Sequence, residues 1–83
     1  KYVRDIHKFE YQSGDFLVLY TDGILEARNE KGEEYGYARL QDEIMRGKDG
    51  DAEEMAASIV RSVESFAHSK LEDDYTLLII RFP

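Results

Sequence analysis

Phe16-Leu17-Val18-Leu19-Tyr20-Thr21-Asp22-Gly23 is the stretch from which the fold is read. Its first five residues are apolar at odd and even positions alike, the pattern of a β-strand covered on both faces and lying centrally in its sheet. The strand, taken as Asp15 to Thr21, stops at Asp22-Gly23, where a residue without a Cβ lets the backbone turn sharply. Tyr75 to Phe82 repeats the doubly apolar pattern through Leu77-Leu78-Ile79-Ile80. Upstream, Gln12-Ser13-Gly14-Asp15 supplies turn chemistry. Lys1 to Glu10, with Tyr2, Val3, Ile6 and Phe9 among charges, therefore reads as a partly wet edge strand that pairs antiparallel with the central one.

Two helices lie between the apolar strands. After an irregular segment through Glu34, with a brief Ile24-Leu25 contact and a charged loop at Asn29-Glu30-Lys31-Gly32, Tyr37 to Met45 carries Tyr37, Leu40 and Ile44 on one face and closes near Gly47. The second helix has a marked start: Asp51 can cap it and Glu54, three residues on, completes a capping-box pattern. From there Ala52, Met55, Ala56, Ile59, Val60, Val63, Phe66 and Ala67 recur at helical spacing, opposite Arg61, Ser62, Glu64 and Ser65. The order is β-β-α-α-β, an α+β class in which both helices lie on one face of an antiparallel sheet. Strands apolar on both faces need two covering layers, and two helices make about one. One sheet face is therefore expected bare, inviting either self-association or cover from residues upstream of Lys1.

Residues 1–83 leave room for one domain, with no repeat, low-complexity tract or linker. There is no cysteine, so no disulfide supports its thin core. Eighteen acidic against eleven basic residues, net −7, argue against nucleic acid and anionic membrane as partners. The longest apolar run, Phe16 to Tyr20, is far too short to cross a bilayer, and the N-terminus has no signal-peptide pattern. A soluble, cytoplasmic protein is the expectation. A first residue that is Lys1, not methionine, adds the expectation of a trimmed piece of a longer chain.

Two acidic sites stand at the ends of the apolar strands, where a carboxylate is held rigidly at the rim of a sheet. Asp22 follows the first directly and Asp73-Asp74 precedes the second. If these strands are antiparallel neighbours, the carboxylates converge, and converging carboxylates without nearby Lys or Arg are commonly relieved by a hard divalent cation such as Mg²⁺ or Mn²⁺. The plainer reading is a turn at Asp22-Gly23 and a solvated loop at Asp73-Asp74. Spacing alone leaves both open. His7, in a charged edge strand, and His68, near a helix end where an imidazolium suits the dipole, have no ligand spacing. Tyr35 and Tyr37 read as core and rim packing.

The surrounding words go further. Gly14 to Ala27, then Gly32-Glu33-Glu34-Tyr35-Gly36 with Arg39-Leu40, and finally Asp73-Asp74-Tyr75-Thr76 resemble, in order and over nearly the whole chain, the PPM family of metal-dependent serine/threonine phosphatases, most closely its bacterial SpoIIE/RsbU-type subgroup. The resemblance implies the C-terminal part of a PPM-type αββα sandwich and a binuclear Mn²⁺ or Mg²⁺ centre. Asp22 and Asp73 match the family's metal-binding aspartates, and Gly23 and Asp74 take supporting positions, Asp74 where many relatives have asparagine. It further implies hydrolysis of phosphoserine or phosphothreonine by a metal-activated water, in bacterial signalling on a substrate of the anti-sigma-factor-antagonist type. The family's N-terminal strands, which carry its metal-bridging aspartate and second sheet, are not in this sequence, so the chain alone is expected to be inactive. The rival expectation is a non-catalytic interaction module that associates through its bare sheet face.

Overall fold

The computed structural model describes residues 6–11, 16–71 and 75–82. Three antiparallel strands, β1 (Ile6–Tyr11), β2 (Phe16–Thr21) and β3 (Leu77–Arg81), form one sheet in the order β1-β2-β3. The doubly apolar strand β2 is central, as its pattern requires. Its register against β3 sets Phe16 opposite Arg81, Val18 opposite Ile79 and Tyr20 opposite Leu77. Against β1 it sets Lys8 opposite Leu19.

Between β2 and β3 run α1 (Asp22–Leu25), α2 (Gly36–Arg46) and α3 (Ala52–Ala67). The single turn α1 is an addition to the expected order. Four residues are too few to show a helical period, and it is held by Ile24, which is fully buried. The loop after it is closed by an isolated bridge between Arg28 and Glu34, with Gly32 at φ +80° on its return. Within it the Asn29 carboxamide oxygen accepts from the N–H groups of Lys31 (2.9 Å) and Glu33 (3.0 Å). The start of α3 is as expected: Asp51 Oδ1 accepts from Glu54 N–H at 2.7 Å, and Glu54 Oε1 accepts from Asp51 N–H at 3.3 Å. Its end is a left-handed residue, His68 at φ 57°, a place glycine usually fills.

Both longer helices cover the same face of the sheet. Phe16, Val18 and Tyr20 from β2 meet Leu40 and Ile44 of α2 and Met55, Ile59 and Val63 of α3 in one buried cluster. In α2 the apolar face is Leu40 and Ile44, whereas Tyr37, expected to share it, is 46% exposed. The residue drawn inward is Tyr35. Its ring meets Phe66 edge to face, 5.6 Å between centroids, and its hydroxyl lies 2.7 Å from Ser62 Oγ. Burial raises the Tyr35 phenol pKa above its ordinary value, as does Glu43, while the Ser62 hydrogen bond and the Arg46 and Arg39 charges oppose the shift. Arg81 closes one end of the core, its guanidinium 4.9 Å above the Phe16 ring and bonded to the Lys48 carbonyl at 2.7 Å.

The opposite face carries Leu17 and Leu19, half-buried, beside their cross-strand partners Ile80 and Leu78, which are 38% and 50% exposed. No described helix covers these side chains. The fold is the α+β arrangement expected, with its helices on one side, and it is compatible with part of a PPM sandwich.

Candidate functional site at the β2–β3 edge

The end of β2 and the approach to β3 are joined by more than the strand ladder. Thr21 N–H donates to the Thr76 carbonyl at 3.1 Å, and Thr76 N–H donates to Thr21 Oγ1 at 2.8 Å. Thr21 is the buried polar residue of this region, 8% exposed. It stands at the cap position of α1, where a threonine hydroxyl ordinarily accepts from the helix it precedes. Here its side chain makes no cap bond, because the hydroxyl is turned across to Thr76. The pairing of β2 with β3 thus continues one residue beyond Tyr20 and Leu77, to the residue immediately before Asp22.

Asp22 is the first residue of α1 and is half-buried; its carbonyl accepts from Glu26 N–H at 2.9 Å. Its carboxylate is close enough to Tyr20 to act on it: burial first, then Tyr37 and then Asp22, raises the Tyr20 phenol above its ordinary value, keeping it neutral. Gly23 takes a helical backbone within α1, and the positive φ values of described glycines fall at Gly32 and Gly36 instead. Asp73 and Asp74 lie outside the described residues. What the structure fixes is the anchor on either side of them, Thr76 on the β3 side and Leu71 on the α3 side. Leu71 N–H donates to the Glu64 carboxylate at 3.0 Å.

For a divalent cation, Asp22 offers the right donor type, a hard carboxylate oxygen at a rigid rim. Among the described residues no three His, Cys, Asp or Glu side chains gather to hold one. His68 lies elsewhere: its Nε2 is 3.4 Å from Glu30 Oε1 on the surface.

Sequence reasoning found Asp22 by its place at a strand end but passed over Thr21. The signal was present, since both acidic motifs carry a threonine, Thr21 before Asp22 and Thr76 after Asp73-Asp74. Glu64 gave no such signal, because its partner is a backbone group beyond the helix end.

An α+β sheet with its helices on one face and an aspartate at the paired rim of two doubly apolar strands is the architecture expected of a PPM-type phosphatase segment. The model of the family described as "Stage II sporulation protein E (SpoIIE)" matches residues 2–83, and the chain belongs to that family. Over 72 residues, 84% of this chain, it is 35% identical to a protein named phosphoserine phosphatase RsbU from Bacillus subtilis (strain 168). It spans 21% of the length of that relative. No solved structure gives a significant match.

Proposed function

We propose that this chain is part of a Mn²⁺- or Mg²⁺-dependent protein phosphatase that hydrolyses phosphoserine or phosphothreonine, with Asp22 and Asp73 as metal ligands and Gly23 and Asp74 supporting them. The observation that supports the reading is the Thr21–Thr76 pair, which ties the residue before Asp22 to the residue before β3, in a chain of the SpoIIE family. Bound divalent ions would there activate a water and neutralise charge on the phosphoryl group. The chain's own part is to hold two carboxylates in place, rigidly enough that they do not have to be gathered when the substrate arrives. A phosphoprotein of a bacterial signalling or stress-response pathway, of the anti-sigma-factor-antagonist type, is the proposed substrate, and the cytoplasm the proposed location.

The test is release of phosphate from a phosphoserine protein by the complete phosphatase that carries this sequence, with Mn²⁺ present. Asp22→Asn and Asp73→Asn should each lower the rate by orders of magnitude while the fold is kept; near wild-type rates in both would overturn the assignment. The isolated chain should show no turnover, and activity in it that Asp22→Asn abolishes would mean the site is complete within these residues.

A second reading has its own support in the exposed apolar side chains of Leu78 and Ile80. Left bare, that face makes the isolated chain self-associate, and a non-catalytic module would use the same surface for assembly. Sedimentation of the isolated chain at high concentration distinguishes the outcomes: a strict monomer removes the support for self-association.

A further inference from the structure

Beside Asp22 a cleft of about 290 Å³ opens between the segment Gly23 to Arg28 and the segment Ala67 to Leu71. It is small. Pockets that take a whole small molecule begin at roughly this size, so the space suits one or two side chains. One end is formed by Gly23, next in the chain to Asp22, and the far wall by the loop that leads towards Asp73. We propose that this cleft is a recognition subsite for an acidic side chain flanking the phosphoserine of the protein substrate, and that Lys70 is the residue that selects it. The proposal rests on the phosphatase reading and adds to it a sequence preference.

Both walls are held in place before any ligand arrives. On one side Glu64 fixes the loop, its carboxylate accepting from Leu71 N–H at 3.0 Å and its carbonyl from Ser69 N–H at 3.3 Å. On the other, Arg28 is tied to the Gly32 carbonyl at 2.7 Å and to Glu34 Oε2 at 3.1 Å. A cleft with fixed walls loses little freedom when it is filled. Ala67 on its lining keeps it open, since any larger side chain there would project into the space.

The charges on the lining decide what fits. Arg28 is engaged by Glu34, whereas Lys70, exposed on the opposite wall, makes no ion pair among the described residues. Glu26 also lines the cleft, on the wall that carries Arg28, which leaves Lys70 as the charged side chain of the facing wall. In a chain of net charge −7 a phosphorylated, acid-flanked segment is repelled overall. A lysine without an ion pair among the described residues offsets that repulsion where the segment must dock. A basic flanking residue would instead meet Lys70.

The test uses the complete phosphatase, a small aryl phosphate that does not reach the cleft, and phosphoserine peptides that differ only in carrying Asp, Asn or Lys beside the phosphoserine. Wild type should favour the Asp peptide in kcat/KM. Lys70→Glu should cut the Asp-to-Asn ratio about tenfold, an effect that shrinks with added salt, with aryl phosphate turnover unchanged. Ala67→Leu, which fills the cleft, should raise KM for every peptide and leave the aryl phosphate alone. Turnover of all substrates with no Asp preference, or a preference that Lys70→Glu does not move, overturns the subsite and leaves the phosphatase reading standing. A Lys preference lost in Glu26→Gln overturns it in favour of a basic flank. Wild type that hydrolyses no phosphomonoester overturns both readings.

Discussion

Replacing Thr21 by valine tests whether the rim of the sheet is clamped by a hydroxyl. Valine keeps the shape and the β-branching of threonine, so packing and strand preference are nearly preserved, and the backbone bond from Thr21 N–H to the Thr76 carbonyl remains. What is lost is the acceptor 2.8 Å from Thr76 N–H, at a residue only 8% exposed. Losing this part-buried hydrogen bond, whose donor belongs to an exposed residue, costs about 1 kcal/mol. For a domain of this size that lowers Tm by roughly 4–8 °C. Thr21→Ser retains the acceptor and gives up one methyl group, a loss of about 0.8 kcal/mol at most, so it should melt between the two. Thermal melts followed by circular dichroism give the order wild type, Ser, Val. In the complete phosphatase, Val should also weaken Mn²⁺ binding measured by calorimetry, while Ser keeps it near wild type. If Val melts with wild type, or Ser is the more damaging change, the hydroxyl is not the clamp.

If Asp22 and Asp73 converge as proposed, Asp22→Asn in the metal-free chain should be neutral or stabilising by about 0.5–1 kcal/mol, because it would remove one of two like charges. Excess Mn²⁺ should stabilise wild type only, and a destabilised Asn variant with neither melt moved by Mn²⁺ would mean the aspartates form no site in these residues. His68→Gly should raise stability by about 0.5–1 kcal/mol, since φ 57° is strained for histidine and free for glycine, and the lost contact with Glu30 joins two exposed groups of little worth; a lower Tm would contradict it. Tyr35→Phe should cost about 1 kcal/mol at neutral pH through the lost Ser62 bond. The folded Tyr35 pKa is raised above 10.0, so the stability it contributes is full below pH 10 and is lost as pH climbs through the higher folded value; alkaline melts of the variant should therefore fall less steeply than those of wild type.

What could be read from the sequence was what is written locally. The start of α3 is set by Asp51 and Glu54, three residues apart, and both bonds of the capping box are present. The central place of β2 follows from apolar residues on both faces, and the bare face follows from counting helices. The four residues of α1 fall below the length at which periodicity exists. Tyr37 was grouped with Leu40 and Ile44 by spacing alone, but it lies in the first turn of α2, where the helix has not yet reached the core, and Tyr35 fills that space from outside the helix. The site divides in the same way. Asp22 is marked by the strand that ends before it, while the Thr21 hydroxyl finds its partner 55 residues away. The cleft at Lys70 depends on α3 ending beside the loop after α1, which no local pattern encodes.

Asp22 is held from both directions along the chain. On its N-terminal side Thr21 is locked to Thr76, and on its C-terminal side, two residues on, Ile24 is fully buried in the cluster beneath the helices. The two residues between, Asp22 and Gly23, have little freedom to move without breaking a hydrogen bond or opening the core, so the geometry of the rim is supported by packing on the helix side of the sheet. The other side carries Leu17, Leu19, Leu78 and Ile80. Covering that face with a further layer would therefore stabilise the domain and add residues to the rim without disturbing the aspartate already fixed there. A metal centre of the proposed kind, assembled from two separate stretches of chain, would use such independence, because each stretch would set its own ligands.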